Sequence, residues 1–153
     1  MGGYRRTLNL IALKRMKENK AFLDTNILLY LLSADETKAM QAENTIVGGG
    51  TISVQVLNEF ASVSRRKLKM PFAEIQEILS QIRMMCFVEP ITVNVHDRGL
   101  QVAEHYGFSI YDAMIVATAL LADCTILYSE DLQDGQVIDS QLMIRNPFIG
   151  IVG

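Results

Sequence analysis

Apolar residues along this chain fall into two rhythms, short unbroken clusters and longer stretches spaced at helical intervals. The first cluster, 21–24, reads as a short buried strand, and 25–32 after it reads as helical. Residues 36–47 form a second helix ended by Gly48-Gly49-Gly50. A strand at 51–53 leads to Ser53, the N-cap of a helix to about Lys67 whose apolar positions 54, 56, 57, 60, 61 and 63 make one broad face. Pro71 opens a further helix to about Met85. The cluster 86–88 is a strand ended by Pro90, and 94–106 is a helix closed by Gly107. Ser109 caps the next helix, 125–128 is a strand, and a last short strand lies near 142–144. Short apolar strands alternating with longer helices predict an α/β architecture, a parallel sheet covered on both faces. In such sheets the ligand crevice lies at the carboxyl ends of the strands.

Composition narrows the class. The chain has 153 residues, 50% hydrophobic and 20% charged, which suits one compact core and argues against disorder. No internal repeat or low-complexity linker breaks it, so residues 20–153 are expected to form one domain. The longest apolar run, 113–122, is about half of the ~20 residues that span a bilayer, so no membrane association is expected. Cys86 and Cys124 stand in apolar surroundings without a metal-ligand spacing and read as small core residues of a reducing cytoplasm. Residues 1–19 read as a basic extension outside the domain, and Met16 would make a natural start just before the first strand. Net charge is −3, but residues 1–20 carry +5 and the rest −8, so charge alone neither supports nor forbids a nucleic-acid partner.

Four acids stand out because apolar sequence surrounds them. Asp24 ends the first strand, Glu59 sits on the helix after Ser53, Asp112 opens the apolar run 113–122, and Asp131 follows the 125–128 strand by three residues. Each has an ordinary explanation. Asp24, with Thr25 and Asn26, can cap a helix; Glu59 can face solvent; Ser109 and Asp112 have capping-box spacing; Asp131 can be loop polarity. Carboxylates in core sequence are nevertheless rare unless they are paired or bind a cation. Together the four would make an all-oxygen site for Mg²⁺ or Mn²⁺.

The blocks Phe22-Leu-Asp24-Thr-Asn26-Ile-Leu-Leu, Asn58-Glu59-Phe60 after Ser53, Tyr111-Asp112-Ala-Met-Ile-Val-Ala and Ser129-Glu-Asp131-Leu132 resemble, in order, those of the PIN-domain nucleases. The similarity is greatest to the VapC-type toxins of bacterial and archaeal toxin–antitoxin pairs. The resemblance implies a three-layer α/β/α sandwich with a short central parallel sheet and a Mg²⁺- or Mn²⁺-dependent endoribonuclease. It implies that Asp24, Glu59, Asp112 and Asp131 form the acidic, metal-holding site, with Asn26 and Ser53 as supporting polar groups. It also implies an RNA substrate, a cognate antitoxin and a homodimer. The fourth block departs from the family pattern, because Ser129-Glu-Asp131 runs on to Leu132-Gln-Asp134-Gly135. Glu130 or Asp134 could therefore stand in for Asp131.

Such a site needs no histidine, and the chain's two, His96 and His105, fall on a helix expected at the surface. The chemistry implied is in-line attack of water on an RNA phosphodiester, with Asp24 and Asp112 as primary metal ligands and Glu59 orienting or deprotonating the water. Arg65-Arg66-Lys67 and Lys69 follow Glu59 on or just after its helix, either as a dipole-favourable helix end or as phosphate contacts. Three other readings compete. A non-catalytic PIN-like module that binds RNA or protein would not require all four acids. A haloacid-dehalogenase-like phosphatase would need Asp-x-Asp, where Asn26 occupies the second position. A PIN nuclease of RNA maturation would work without an antitoxin.

Overall fold

The computed structural model describes residues 20–151; the N-terminal extension expected at 1–19 lies outside that range. Strand β1 (Ala21–Leu23) is buried along its whole length. Asp24 turns the chain into α1 (Thr25–Leu29), which tightens into a 3₁₀ turn over Tyr30–Leu32. Then come α2 (Glu36–Ile46), β2 (Gly50–Ser53), α3 (Val54–Arg66), α4 (Phe72–Met85) and β3 (Cys86–Glu89). Helices α5 (Val93–Tyr106) and α6 (Ile110–Leu121) lead to β4 (Ile126–Tyr128), followed by β5 (Val137–Ile138) and β6 (Leu142–Arg145).

The strands form one sheet in the order β3-β2-β1-β4-β6-β5, with every pairing parallel except β5 on β6. The α/β sandwich expected from the sequence is therefore present, with one antiparallel strand added at its edge. That strand arises from a tight hairpin. Asp139 and Ser140 both take positive φ, 50° and 55°, and the Gln141 N–H donates to the Ile138 carbonyl at 3.0 Å. This is a type I′ turn built without the usual Asn-Gly pair. Two residues of strand beside an Asp-Ser turn leave almost no periodic signal.

Connections β1 to β2 to β3 step one way across the sheet, and the connection from β3 to β4 steps back past both. Right-handed crossovers then put α1–α4 on one face and α5–α6 on the other. The direction reverses between β1 and β4, which makes the carboxyl ends of those two strands the topological switch point. Phe22, Leu23, Ile27, Ile52, Phe60, Ile115, Leu127 and Ile144 fill the core around them. Helix α6 is buried from Ala113 through Leu120, as its almost wholly apolar sequence requires. It runs antiparallel to β4, so its N-terminus, with Asp112, returns to the same sheet end. Both cysteines are buried and free, and burial pushes each thiol up to about 11. Among the described residues no helix is long and apolar enough to cross a membrane.

Candidate metal and nucleic-acid site

Asp24 stands where a fully buried strand meets a helix. It is 6% exposed, and both its oxygens are engaged: Thr25 N–H donates to Oδ1 at 2.7 Å and the Ser129 hydroxyl to Oδ2 at 2.8 Å. Ser129 follows β4, and the Asp24 N–H reaches back to the Tyr128 carbonyl at 3.0 Å, so the two strand ends are tied at the switch point. Burial, with the negative charges of Glu59 and Asp112 adding to it, pushes Asp24 up to about 6 against the pull of those two hydrogen bonds.

Glu59 comes from the second turn of α3 and is held from both sides. The Thr25 hydroxyl donates to Oε2 at 2.6 Å, and the Gln55 amide donates to Oε1 at 2.9 Å. Gln55 also donates to the Tyr111 carbonyl at 3.1 Å, linking the start of α3 to the start of α6. Asp112 sits in the first turn of α6, where the N-cap Ser109 anchors it: the Ser109 hydroxyl accepts from the Asp112 N–H at 3.2 Å. Asp131 accepts from the Asn26 amide at 2.8 Å. Its carboxyl is raised by partial burial and then by the charges of Asp112 and Glu130.

Asp24, Asn26, Glu59, Asp112 and Asp131 thus line one cleft of about 250 Å³, with Thr25, Ser62 and Arg66 among its other walls. Ser53 does not line it; its buried hydroxyl caps α3 by accepting from the Val56 N–H at 3.3 Å. The neighbours of Asp131 are turned elsewhere. Glu130 accepts from the Tyr30 hydroxyl at 2.7 Å, and Asp134 accepts from the Asn146 N–H at 2.8 Å. His96 and His105 are exposed on α5, and His105 lines a separate surface groove. The hydroxyls of Thr25 and Ser129, buried and aimed at acids, carry a role that their place in the sequence blocks does not reveal. Their partners lie 34 and 105 residues away in the chain.

The four acids share the cleft without converging on one point. Among the described residues no three His, Cys, Asp or Glu side chains are placed to hold one ion directly. Asp24, Glu59 and Asp131 each rest instead on neutral donors, as mutually repelling charges do. An all-oxygen donor set of this kind fits a hydrated hard cation that is held directly by one or two carboxylates and keeps several waters, the ordinary mode of Mg²⁺. It does not fit a dry cage of carboxylates.

A family model described as PIN domain matches residues 21–133. No curated protein sequence gives a match. Among solved structures, a chain of a toxin–antitoxin complex from Klebsiella pneumoniae is similar with a TM-score of 0.65 and 21% identity, covering 84% of this chain and 98% of that one. VapC20 of Mycobacterium tuberculosis, a sarcin–ricin-loop-cleaving toxin, is similar with a TM-score of 0.59 and 17% identity over 72% of this chain and 88% of that one. VapBC2 of Rickettsia felis, bound to a promoter DNA fragment, gives a TM-score of 0.58 and 18% identity over 82% and 98%.

Proposed function

The chain belongs to the PIN-domain family, and on that footing we propose that residues 20–153 form a divalent-metal-dependent endoribonuclease, the toxin of a toxin–antitoxin pair. One observation carries the reading: four acids from four separate segments line one cleft at the switch point, and the most buried of them is pushed up to about 6. A fold that needed Asp24 only as a helix cap would have no reason to set it beside Glu59 and Asp112. The site lacks any histidine, so its chemistry rests on carboxylates and whatever cation they attract.

Asp24 and Asp112 would hold Mg²⁺ or Mn²⁺, with Asp131 completing the site. When bound, the ion supplies Lewis-acid stabilisation of charge on the phosphate and a lowered pKa for attacking water. Glu59 is the base. Thr25 and Gln55 fix one donor on each of its oxygens, which leaves lone pairs free to accept a proton from water in a defined direction. Asn26 holds Asp131 in the cleft, and the Ser129 hydroxyl fixes one oxygen of Asp24. The same reading includes a protein antitoxin that covers the cleft, a homodimeric toxin and a cytoplasmic setting. The K. pneumoniae and R. felis relatives, described as a toxin–antitoxin complex and as VapBC2, support the partner.

The test is cleavage of a labelled structured RNA with Mg²⁺ or Mn²⁺, with chelator, and with Asp112→Asn. Metal-dependent cutting that the variant loses supports the nuclease. A folded protein that binds RNA equally well with and without metal, and never cuts it, belongs instead to the non-catalytic PIN-like class.

A further inference from the structure

Gln55, Glu59, Ser62 and Arg66 stand at positions i, i+4, i+7 and i+11 of α3, along one side of the helix. Glu59, Ser62 and Arg66 all line the carboxylate cleft. The basic run in which Arg66 lies divides sharply by role. Arg65 donates to the Met70 carbonyl at 2.9 Å, and its guanidinium lies 4.7 Å from the centre of the Phe72 ring, so it holds the turn into α4. Lys67 faces a neighbouring groove with Tyr30, Leu68 and Glu130. Lys69 sits in the turn with a positive φ of 56°. Arg66 alone of the four lines the cleft, and among the described residues it enters no ion pair.

An exposed guanidinium in a cleft of four carboxylates ordinarily closes onto one of them. Arg66 stands off because seven residues, about two turns or ~10 Å of helix, separate it from Glu59. The cleft is therefore acidic at the strand ends and basic two turns along α3. A polyanionic chain that enters it meets the acids at one place and a positive fork at another. Guanidinium is suited to phosphate, since it gives two parallel donors in one plane.

Resting on the nuclease reading, we propose that Arg66 binds a substrate phosphate about two helical turns from the carboxylates, so that one RNA strand lies along α3. A cleft of about 250 Å³ suits a single strand or loop, whose backbone can follow it, more than a duplex.

The experiment measures binding of a fluorescein-labelled single-stranded RNA to Asp112→Asn protein in Mg²⁺ over a range of salt. Arg66→Ala, Arg66→Lys and Lys69→Gly are added to that background, and cleavage kinetics are measured with the same three changes in the otherwise unaltered chain. Arg66→Ala is expected to weaken binding about tenfold, and to reduce the slope of log affinity against log salt by about 0.7. Arg66→Lys should fall between, and Lys69→Gly, which removes a nearby charge outside the cleft, should stay within about twofold. In cleavage, Arg66→Ala should raise KM and leave kcat within about threefold. Equal effects of Arg66→Ala and Lys69→Gly, or an unchanged salt slope, overturn the proposal while cleavage by the unaltered chain keeps the nuclease standing. No cleavage by any chain, with the Arg66 effect on binding intact, overturns the nuclease and leaves the phosphate contact standing. No RNA binding by any chain overturns both.

Discussion

The buried Asp24 carboxylate should make the metal-free protein weaker at neutral pH than it is in mild acid, and Asp24→Asn should remove that weakness. Asp24 titrates near 6 in the folded chain against an ordinary value of 3.8, because burial disfavours its charged form and Glu59 and Asp112 add repulsion. The folded state thus holds the proton more tightly than the unfolded chain. Between pH ~4 and ~6 folding takes up a proton, so this group's contribution falls as pH rises and reaches its full cost above pH ~6. Keeping the charged carboxylate in that place disfavours the folded chain by about 3 kcal/mol. At 6% exposure little of that is screened by solvent. Asparagine keeps the geometry: its carbonyl can accept from Thr25 N–H, and its amide can donate to Ser129, whose hydroxyl then accepts instead. Urea unfolding in chelator at several pH values is the assay. The variant should exceed the unaltered protein by about 2–3 kcal/mol at pH 7, and the gap should close by about pH 4. Added Mg²⁺ should narrow the gap at pH 7 by stabilising the unaltered chain only, by about 2.7 kcal/mol at a hundred times Kd. A variant weaker than its parent at pH 7, or a gap that does not change with pH, would refute the reasoning.

Asp131→Asn should cut RNA cleavage by about 100-fold or more. Glu130→Gln should leave cleavage within about threefold and cost roughly 1 kcal/mol through its bond to Tyr30, and kinetics with thermal melting separate the two. Thr25→Val removes the donor on Glu59 and should lower kcat about tenfold with about 1 kcal/mol of stability lost, read from single-turnover rates and urea unfolding. Phe60→Ala empties a fully buried site one residue from Glu59 and should cost about 3–5 kcal/mol, read from the denaturation midpoint. Arg98→Ala breaks the partly exposed pair with Asp139 and should shift stability by no more than about 1 kcal/mol, measured in the same way.

The periodic parts of the fold were readable because burial forces the pattern. Strand β1 must be apolar throughout, α6 almost so, and α5 must end at a residue free to take the left-handed conformation, as Gly107 does with φ 74°. Where backbone geometry is set by a few hydrogen bonds, the pattern was silent. Val137–Ile138 is too short to alternate, and Asp139-Ser140 is an unusual choice for two positive φ angles. At the site the contrast is the same. The acids announced themselves by standing in core sequence, but of the two buried hydroxyls beside strand ends the sequence pointed to Ser53 and passed over Ser129. Ser53 makes only the local cap bond to the Val56 N–H that the helix start predicts, whereas the bond from Ser129 to Asp24 spans 105 residues and exists only in the folded chain. The run Arg65-Arg66-Lys67 likewise reads as one patch until the helix phase points its members in different directions.

The cleft breaks the rules that the rest of the chain obeys. A buried acid raised toward neutrality and a second acid raised beside like charges are each destabilising, and nothing in the packing of β1 or α6 requires either. Their neighbours reduce the cost without removing it. Thr25, Asn26, Gln55 and Ser129 supply neutral donors and no positive charge, so the negative potential persists. A side-chain cation reaching the acids would offset their mutual repulsion. It would also occupy the position that the metal takes in the proposed reading. Neutral donors hold the carboxylates in place, and among the described residues the one guanidinium in the cleft, Arg66, stands two helical turns from Glu59. Stability is surrendered at the switch point to keep that negative potential, which is the pattern expected of a functional site and, on the proposed reading, of one that takes a divalent ion.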